Sequence, residues 1–311
     1  MAYSIFYFLK TLKESGKKQF KLAGLLFFMI PASCTLPEAP PDNVTLPEAP
    51  PDNVTSPYIS QVFEYAYAPG QHAALAKSDE AAVDFTGKPE NVVYLGGFGG
   101  YITAGFDHNV ENREGYDFEI YALGVDGEPG VVFVMNDDNG DGIPNETWYE
   151  LTGSESGNSV RNYRICYRKA VSDNANITWT DNQGNSGELI SGYNGKYSSS
   201  WWWSETAADS VVFTGTKLPE AYENIGLDGN QYWQLKAGMF QWGYADNPKG
   251  TDYDKSAFSN KFDISDAVDG AGKAAGLTSI RFIKIQSAVL QQAGWLNEIS
   301  PELRGVKDLH Y

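Results

Sequence analysis

The sequence holds only three histidines, His72, His108 and His310, and only two cysteines, Cys34 and Cys166. So few imidazoles and thiols leave little room for a zinc site or for a His-based catalytic device. Positive charge is also scarce, because 23 Lys and Arg face 40 Asp and Glu, for a net charge of −17 at pH 7. This acidic balance argues against nucleic acid and anionic lipid headgroups as partners, and it suits cations.

Long apolar runs are also missing from the start of the chain. The run Leu22–Pro31 has ten residues, whereas a membrane-spanning helix needs ~20. It follows a lysine-rich stretch and precedes Ala32, Ser33 and Cys34, an order that resembles a bacterial lipoprotein signal. We therefore predict that residues 1–33 are a cleaved signal peptide and that Cys34 carries a lipid anchor. The alternative is a plain secretion signal in which Cys34 is incidental.

Proline is concentrated in a tandem repeat, in which TLPEAPPDNV occurs twice over residues 35–54. Such a segment cannot bury enough apolar surface to fold, and proline favours the extended polyproline II conformation. At ~3.1 Å per residue, ~20 residues reach roughly 60 Å. We predict that residues 34–57 form the lipidated tether of a single folded domain, residues 58–311.

Amphipathic helical patterns are missing after residue 57, which disfavours α/β folds. Short alternating or apolar segments recur instead, separated by turns that draw on the 32 glycines of the chain. Val131–Met135 is uniformly apolar, which predicts a central strand covered on both faces. The sequence thus predicts an all-β fold, a jelly-roll-like β-sandwich with long loops. One short helix is expected around Ser265–Val268, and Cys166 is expected to be a small buried filler.

The strongest chemical motif is the stretch DDNGDGIPNE, residues 137–146, called here the acidic loop. Oxygen-bearing side chains at its first, third and fifth positions, followed by Gly142, match the first half of a calcium-binding loop. Trp148 stands where the usual final Glu would be, so Glu146 or a carboxylate from elsewhere must complete the set. We expect a structural calcium ion, and the alternative is an acidic turn between two strands. The predicted ligands are Asp137, Asn139, Asp141, the backbone carbonyl of Ile143, and Glu146.

Two weaker acidic motifs follow other strands. Asp263, Asp266 and Asp269 form a second acidic set, in which Asp266 is expected to cap the short helix. Asp107 and His108 offer a catalytic pair as one interpretation, and a turn at a strand end is the simpler one.

Aromatic residues suggest a binding surface. Three consecutive tryptophans cannot all point into one core, because neighbouring residues of a strand face opposite sides. At least one is therefore expected to be exposed for recognition, and the segment after Phe240 offers a similar platform. The alternative is core packing. The candidate ligand-binding residues are Trp201, Trp202, Trp203, Trp242 and Tyr244.

Several long, ordered blocks over Ile59–Tyr311 also resemble a known family, the cell-surface lipoproteins of gut bacteria of the Bacteroides kind. Some proteins of this kind sit with the outer-membrane vitamin B12 uptake machinery and resemble the BtuH-type surface proteins, which capture corrinoids for a TonB-dependent transporter. The blocks are LGGFGGYITAGFDHNV, YDFEIYA, EPGVVFVMNDDNGDGIPNETWYEL, ITWTDNQG, FDISDAVD and FIKIQSAVLQQAGWLNEIS.

The resemblance implies an outer-membrane lipoprotein, exposed at the cell surface, that binds a corrinoid and catalyses no reaction. The predicted aromatic residues would suit the faces of the ring, and Asn and Gln would suit its amides. Other functions stay open. Trp and Tyr platforms on calcium-stiffened sandwiches also bind glycans, and a glycan-degrading enzyme would need two carboxylates, for which no spacing selects a pair. A structural adhesin is a further alternative.

Overall fold

The structure is a computed structural model and describes residues 56–70, 85–124, 127–172, 175–191, 209–227, 229–294 and 297–311. Regular structure in these ranges is almost entirely β, with short 3-10 turns at Ser156–Asn158 and Ile264–Asp266. No helix among the described residues has the length and hydropathy to cross a membrane. The strands in chain order are β1 Gln61–Ala66, β2 Val93–Tyr94, β3 Tyr101–Glu111, β4 Phe118–Ala122, β5 Gly130–Met135, β6 Tyr149–Leu151, β7 Val160–Arg168, β8 Ile177–Asp181, β9 Ser186–Leu189, β10 Ser210–Lys217, β11 Tyr222–Asn224, β12 Trp233–Leu235, β13 Tyr253–Asp254, β14 Ser259–Phe262, β15 Ala267–Val268, β16 Ser279–Ser287, β17 Gln292–Ala293, β18 Asn297–Glu298 and β19 Glu302–Asp308.

Two antiparallel sheets share the main core. The six-stranded sheet has the order β1-β3-β16-β5-β6-β15, and the five-stranded sheet has the order β13-β14-β4-β19-β2. Because side chains alternate along a strand, one face of each sheet supplies the core: Ile102 and Val132 from the first sheet are buried together with Ile120 and Val306 from the second. This arrangement confirms the predicted all-β sandwich.

Strand β5 is covered on both of its faces, as its uniformly apolar sequence predicts. It pairs with β16 on one side and with β6 on the other. Val132 and Val134 point into the main core. Val131 points the other way, into a second cluster against which Phe133 also packs.

A four-stranded sheet, β10-β7-β8-β9, has a core of its own. Tyr167 of β7 donates a hydrogen bond to the carbonyl oxygen of Phe98 at 2.9 Å, which anchors the GGFGG segment to this sheet. Gly99 has a φ of +98°, and a Cβ there would lie 2.3 Å from the Cβ of Phe213, so no larger residue fits. Gln286 of β16 donates to the carbonyl oxygen of Thr214 in β10 at 3.0 Å, which ties the four-stranded sheet to the six-stranded one.

The predicted helix at Ser265–Val268 is wrong. The backbone makes one 3-10 turn and then enters β15, where Ala267 pairs with Leu151 of β6. Pairing with a neighbouring strand satisfies the backbone groups that a helix would otherwise use. The cap is Asp263, whose side chain accepts a hydrogen bond from the Ser265 N–H at 2.7 Å, so the capping role predicted for Asp266 is wrong as well.

The first described residues lie beside the last strand. Tyr58 forms an antiparallel bridge with Lys307 of β19. The Ile59 N–H donates to the carbonyl oxygen of Val306 at 3.1 Å, and the Asp308 N–H donates to that of Pro57 at 2.7 Å. The two ends of the described chain therefore meet at β19, inside the five-stranded sheet.

Cys166 on β7 is buried, as expected of a small filler. The strand pattern around this position predicts its burial, because Ile165, Cys166 and Tyr167 form a short apolar run in β7.

Two buried carboxyl groups, Glu128 and Asp246, lie on hydrogen-bonded neighbouring segments. The Glu128 N–H donates to the carbonyl oxygen of Asp246 at 3.0 Å, and the Glu128 carboxylate accepts from the Ser300 N–H at 2.9 Å. Burial and then the negative charges of Asp246 and Glu302 raise the pKa of Glu128 well above its ordinary value. The folded protein therefore binds this proton more tightly than the unfolded chain does.

Glu128→Gln should flatten the dependence of stability on pH. A raised folded pKa contributes stability that is complete below the unfolded pKa of ~4.3 and is lost as pH rises through the folded pKa. The amide keeps an oxygen for Ser300 and removes the titration. We expect urea unfolding to show that the free energy of unfolding of the variant, relative to that of the wild type, is highest near pH 8 and lowest near pH 4.5. Parallel profiles, or the same flattening in the exposed control Glu114→Gln, would contradict this assignment.

Candidate functional site

The acidic loop connects β5 to β6, two adjacent strands of the six-stranded sheet. Both ends of the loop are therefore held by strands that bury residues in the main core. Gly140 and Gly142 have φ values of +72° and +73°, in the left-handed region that side chains other than glycine disfavour. The sharp turn that the sequence predicts at Gly142 is thus present.

Side chains of the acidic loop bind its own backbone amides. The Gly142 N–H donates to Oδ2 of Asp137 at 3.0 Å. The Asp141 N–H donates to Oδ1 of Asn139 at 2.8 Å, and the Ile143 N–H donates to Oδ1 of Asp141 at 2.8 Å. These bonds turn oxygen-bearing side chains toward the inside of the loop, and so the loop is folded by the same residues that are candidates for binding a cation.

Three carboxylates of the loop form one cluster. Oxygens of Asp137, Asp141 and Glu146 lie within 4.8 Å of one another, and this is the one such group of three or more found in the described ranges. The side chain of Asp137 is only 2 % exposed. The amide of Asn145 and then the N–H of Ile143 hold the pKa of Asp141 below its usual range, so this carboxylate is ionised at neutral pH.

Two oxygens of this cluster are buried without a partner. Oδ1 of Asp137 and Oε2 of Glu146 accept no hydrogen bond within the described part of the chain. The second oxygen of each of these carboxylates has a partner. Oδ2 of Asp137 lies 2.8 Å from Nη1 of Arg281, and Oε1 of Glu146 accepts a hydrogen bond from the Asn139 N–H at 3.3 Å. A buried acceptor that is left unsatisfied costs ~1–3 kcal/mol, and more when it is charged. A cation bound among the three carboxylates would remove that cost, so the cluster can hold a metal ion.

The other two predicted ligands take part in the loop in a different way. Oδ1 of Asn139 accepts from Asp141, and the carbonyl oxygen of Ile143 accepts from the Asn145 N–H at 2.8 Å. Each of these oxygens has a second lone pair that is available to a cation. The structure thus brings the three acids together and leaves Asn139 and Ile143 as neutral oxygens beside them.

Arg281 is a member of the site that the sequence interpretation missed. It lies on β16, 144 residues after Asp137. Its Nε also donates to the carbonyl oxygen of Phe106 on β3 at 3.4 Å, so the guanidinium links the acidic loop to two strands of the sheet. No local spacing could reveal it, because the contact is made only when β16 enters the sheet beside β5.

The predicted aromatic platform is only partly described. Trp201, Trp202 and Trp203 lie outside the described residues. Trp242 has 38 % of its surface exposed, whereas Tyr244 is 2 % exposed. The hydroxyl of Tyr244 accepts a hydrogen bond from the Glu155 N–H at 2.7 Å, so this residue is part of the interior. Tyr244, which was predicted to bind ligand beside Trp242, is therefore buried and is not part of an exposed surface.

His108 holds strands together. Strand β3 continues to Glu111, so the prediction of a turn at Asp107 and His108 is wrong. Nδ1 of His108 lies 2.6 Å from Asp107, and Nε2 lies 3.0 Å from Asp308 of β19. Both ring nitrogens are occupied by carboxylates, and one of these carboxylates belongs to the opposite sheet. The contact therefore closes one end of the sandwich, and it offers neither nitrogen to a substrate.

The second acidic set consists of separate turns. Asp263 caps the 3-10 turn, and Asp269 accepts hydrogen bonds from the Ala271 and Lys273 N–H groups, each at 2.9 Å. These carboxylates accept hydrogen bonds from nearby backbone N–H groups. The motif is therefore explained by local structure alone.

Comparison of the chain with models of known protein families gives no match, and comparison with curated proteins gives none either. The family resemblance of the sequence blocks therefore stays a prediction. The geometry of the acidic loop bears on cation binding alone.

Proposed function

We propose that this protein is a non-catalytic, calcium-stabilised binding protein, anchored by a lipid at the cell surface, and that its ligand is a corrinoid. The observation that carries the calcium part is the pair of buried, unpartnered carboxylate oxygens on Asp137 and Glu146. The cluster supplies only oxygen donors, which hard cations such as Ca²⁺ and Mg²⁺ prefer. An irregular set of carboxylate, amide and carbonyl oxygens suits the flexible six- to eight-fold coordination of Ca²⁺ better than the strict octahedron of Mg²⁺.

Calcium in this position has a structural role. The acidic loop joins β5 to β6, and Arg281 connects it to β16. An ion shared by Asp137, at the start of the loop, and Glu146, near its end, would fix the loop against the sheet. The loops beside it would then keep one conformation for ligand binding.

The corrinoid part of the proposal rests on the resemblance of the sequence blocks and on aromatic residues that suit a large flat ring. Of the candidate residues, Trp242 is partly exposed in the structure. Delivery to a TonB-dependent transporter at the outer membrane is the pathway that the same resemblance implies. The absence of catalysis is likewise part of the proposal.

Glycan binding is the second candidate, and exposed aromatic side chains favour it. Tyr232, near the start of β12, has 64 % of its surface exposed. Stacking of a sugar on such a ring needs no deep pocket. A glycan-degrading enzyme is the third candidate, and it would release reducing ends from a polysaccharide.

Calcium should raise the melting temperature of the wild-type protein above its value in EDTA. At 100-fold excess over Kd, binding stabilises by about 2.7 kcal/mol, which corresponds to roughly 5–10 °C for a domain of this size. We expect Asp137→Asn and Glu146→Gln to lose most of this shift. Asp138→Asn, a neighbouring exposed acid outside the cluster, should keep it. Equal melting temperatures of the wild type in calcium and EDTA would refute the calcium site.

Cyanocobalamin should co-elute with the protein in gel filtration and colour the protein peak. We expect Trp202→Ala and Trp242→Ala to weaken the affinity at least about tenfold, because a buried aromatic anchor contributes on the order of 2 kcal/mol. Tyr116→Ala, an exposed aromatic outside the candidate set, is the matched control. A colourless protein peak at micromolar ligand contradicts the corrinoid proposal, and retardation on a polysaccharide gel that Trp202→Ala abolishes would support glycan binding instead.

The lipid anchor can be tested on the two cysteines of the chain. A thioether to lipid at Cys34 and a disulfide use the same sulfur, so the two states of Cys34 exclude each other. We expect Cys34→Ser to abolish membrane fractionation and Cys166→Ser to preserve it, with intact mass showing an acylated Cys34. The anchor is overturned if mature protein with an unacylated Cys34 is found in the medium. It is also overturned if the intact mass includes no lipid and corresponds to a Cys34 disulfide.

A further inference from the structure

A row of side chains crosses the face of the six-stranded sheet that points away from the main core. The strand register places Glu64 opposite Thr103, Thr103 opposite Lys284, and Lys284 opposite Phe133. Phe133 is in turn opposite Glu150. Directly opposed residues of antiparallel strands share a face, so these five side chains lie side by side. A lysine therefore occupies the centre of this outer face.

The ammonium group of Lys284 is surrounded by three aromatic rings. Its Nζ lies 4.8 Å from the ring centre of Phe133, 5.5 Å from that of Trp148 and 5.6 Å from that of Tyr101. Cation–π contacts of this kind each contribute ~0.5–2 kcal/mol. They stabilise the charge, but a ring face does not replace the oxygen acceptors that the three N–H donors of an ammonium group require.

No oxygen acceptor among the described residues contacts this ammonium group. Within the part of the chain that the structure describes, Nζ of Lys284 makes no hydrogen bond and no ion pair. Lys236, Lys261 and Lys307, by contrast, each have a carboxylate oxygen at 3.6, 3.1 and 3.5 Å respectively. In a chain with 40 acidic residues, a partly covered lysine without a counter-ion is therefore unusual.

The two nearest acids of the row are engaged elsewhere. The carboxylate of Glu64 accepts a hydrogen bond from the hydroxyl of Tyr101. The carboxylate of Glu150 accepts from Arg161 at 3.2 Å and from the hydroxyl of Thr216. Burial lowers the pKa of Lys284, and the charge of Glu64 acts in the opposite direction without forming an ion pair. The neighbours thus leave the ammonium group available to a partner from solution.

We propose that Lys284, with Tyr101, Phe133 and Trp148, forms a binding site for a small organic anion. The carboxylate or phosphate of the ligand would accept hydrogen bonds from the ammonium group, and its flat apolar body would lie against the rings. All four side chains are partly exposed, so a solute can reach them. Trp148 follows the acidic loop on the same connection between β5 and β6, but none of the four side chains belongs to the carboxylate cluster. The proposal does not depend on calcium or on a corrinoid.

Isothermal titration in EDTA with three naphthalene probes tests the site. We expect 1-naphthyl phosphate and 1-naphthoate to bind at least about tenfold more tightly than neutral 1-naphthol, and their ranking distinguishes phosphate from carboxylate ligands. Lys284→Met keeps the stem and removes the charge, so it should erase the preference for the anions. Lys261→Met, at a lysine already paired with Asp254, should keep the preference.

Glu64→Gln provides a second, independent variant, because Glu64 is exposed and its loss should leave the fold intact. Removing its negative charge should tighten binding of both anions about twofold or more and leave 1-naphthol unchanged. The proposal is overturned if the wild type binds the anions no more tightly than 1-naphthol. It is also overturned if the affinity for the anions is the same in Lys284→Met, Glu64→Gln and the wild type. Either result leaves the tests with calcium and cyanocobalamin unaffected.

Discussion

The antiparallel pairing of β3, β16 and β5 is the constraint on which the rest of the structure depends. These three strands form the middle of the six-stranded sheet, and their alternate residues divide its two faces. One face supplies the main core. The other carries Lys284 and Gln286, and it also receives β10 of the four-stranded sheet through Gln286. Because side-chain direction has a period of two, a shift of one residue in β16 would exchange these two faces completely.

The same pairing builds the acidic loop. Asp137 lies two residues after the end of β5, and β16 places Arg281 beside it. The guanidinium binds one carboxylate oxygen, and the other is buried and has no partner among the residues that the structure describes. A positive side chain beside a cation site weakens binding by repulsion, but it also fixes the orientation of Asp137. The cluster thus has one acid, Asp137, that Arg281 holds in place, and two further acids, Asp141 and Glu146, later in the loop.

Features with local causes could be predicted from the sequence, whereas those that depend on distant contacts could not. Residues adjacent in the sequence determine three such features: the apolar run of β5, the turn at Gly142 and the spacing of the loop acids. Arg281 and the surroundings of Lys284 are contacts between strands far apart in the chain. Tyr244 was predicted to bind ligand beside Trp242, but its hydroxyl is buried against Glu155, which lies 89 residues earlier in the chain. The prediction of a short helix was wrong for a related reason. Residues 267–268 pair with β6, and no local sequence pattern reveals that pairing.

The meeting of the two chain ends at β19 has a consequence for how the domain can be handled. Residues 57–59 are hydrogen-bonded to residues 306–308, so a short linker could join the first and last described residues without disturbing the sandwich. A circular permutant opened at an exposed turn elsewhere would then have the same sheets with a different chain order. Such a rearrangement would place the new chain ends at a chosen turn, so that the point of attachment to a surface or a fusion partner could be selected freely.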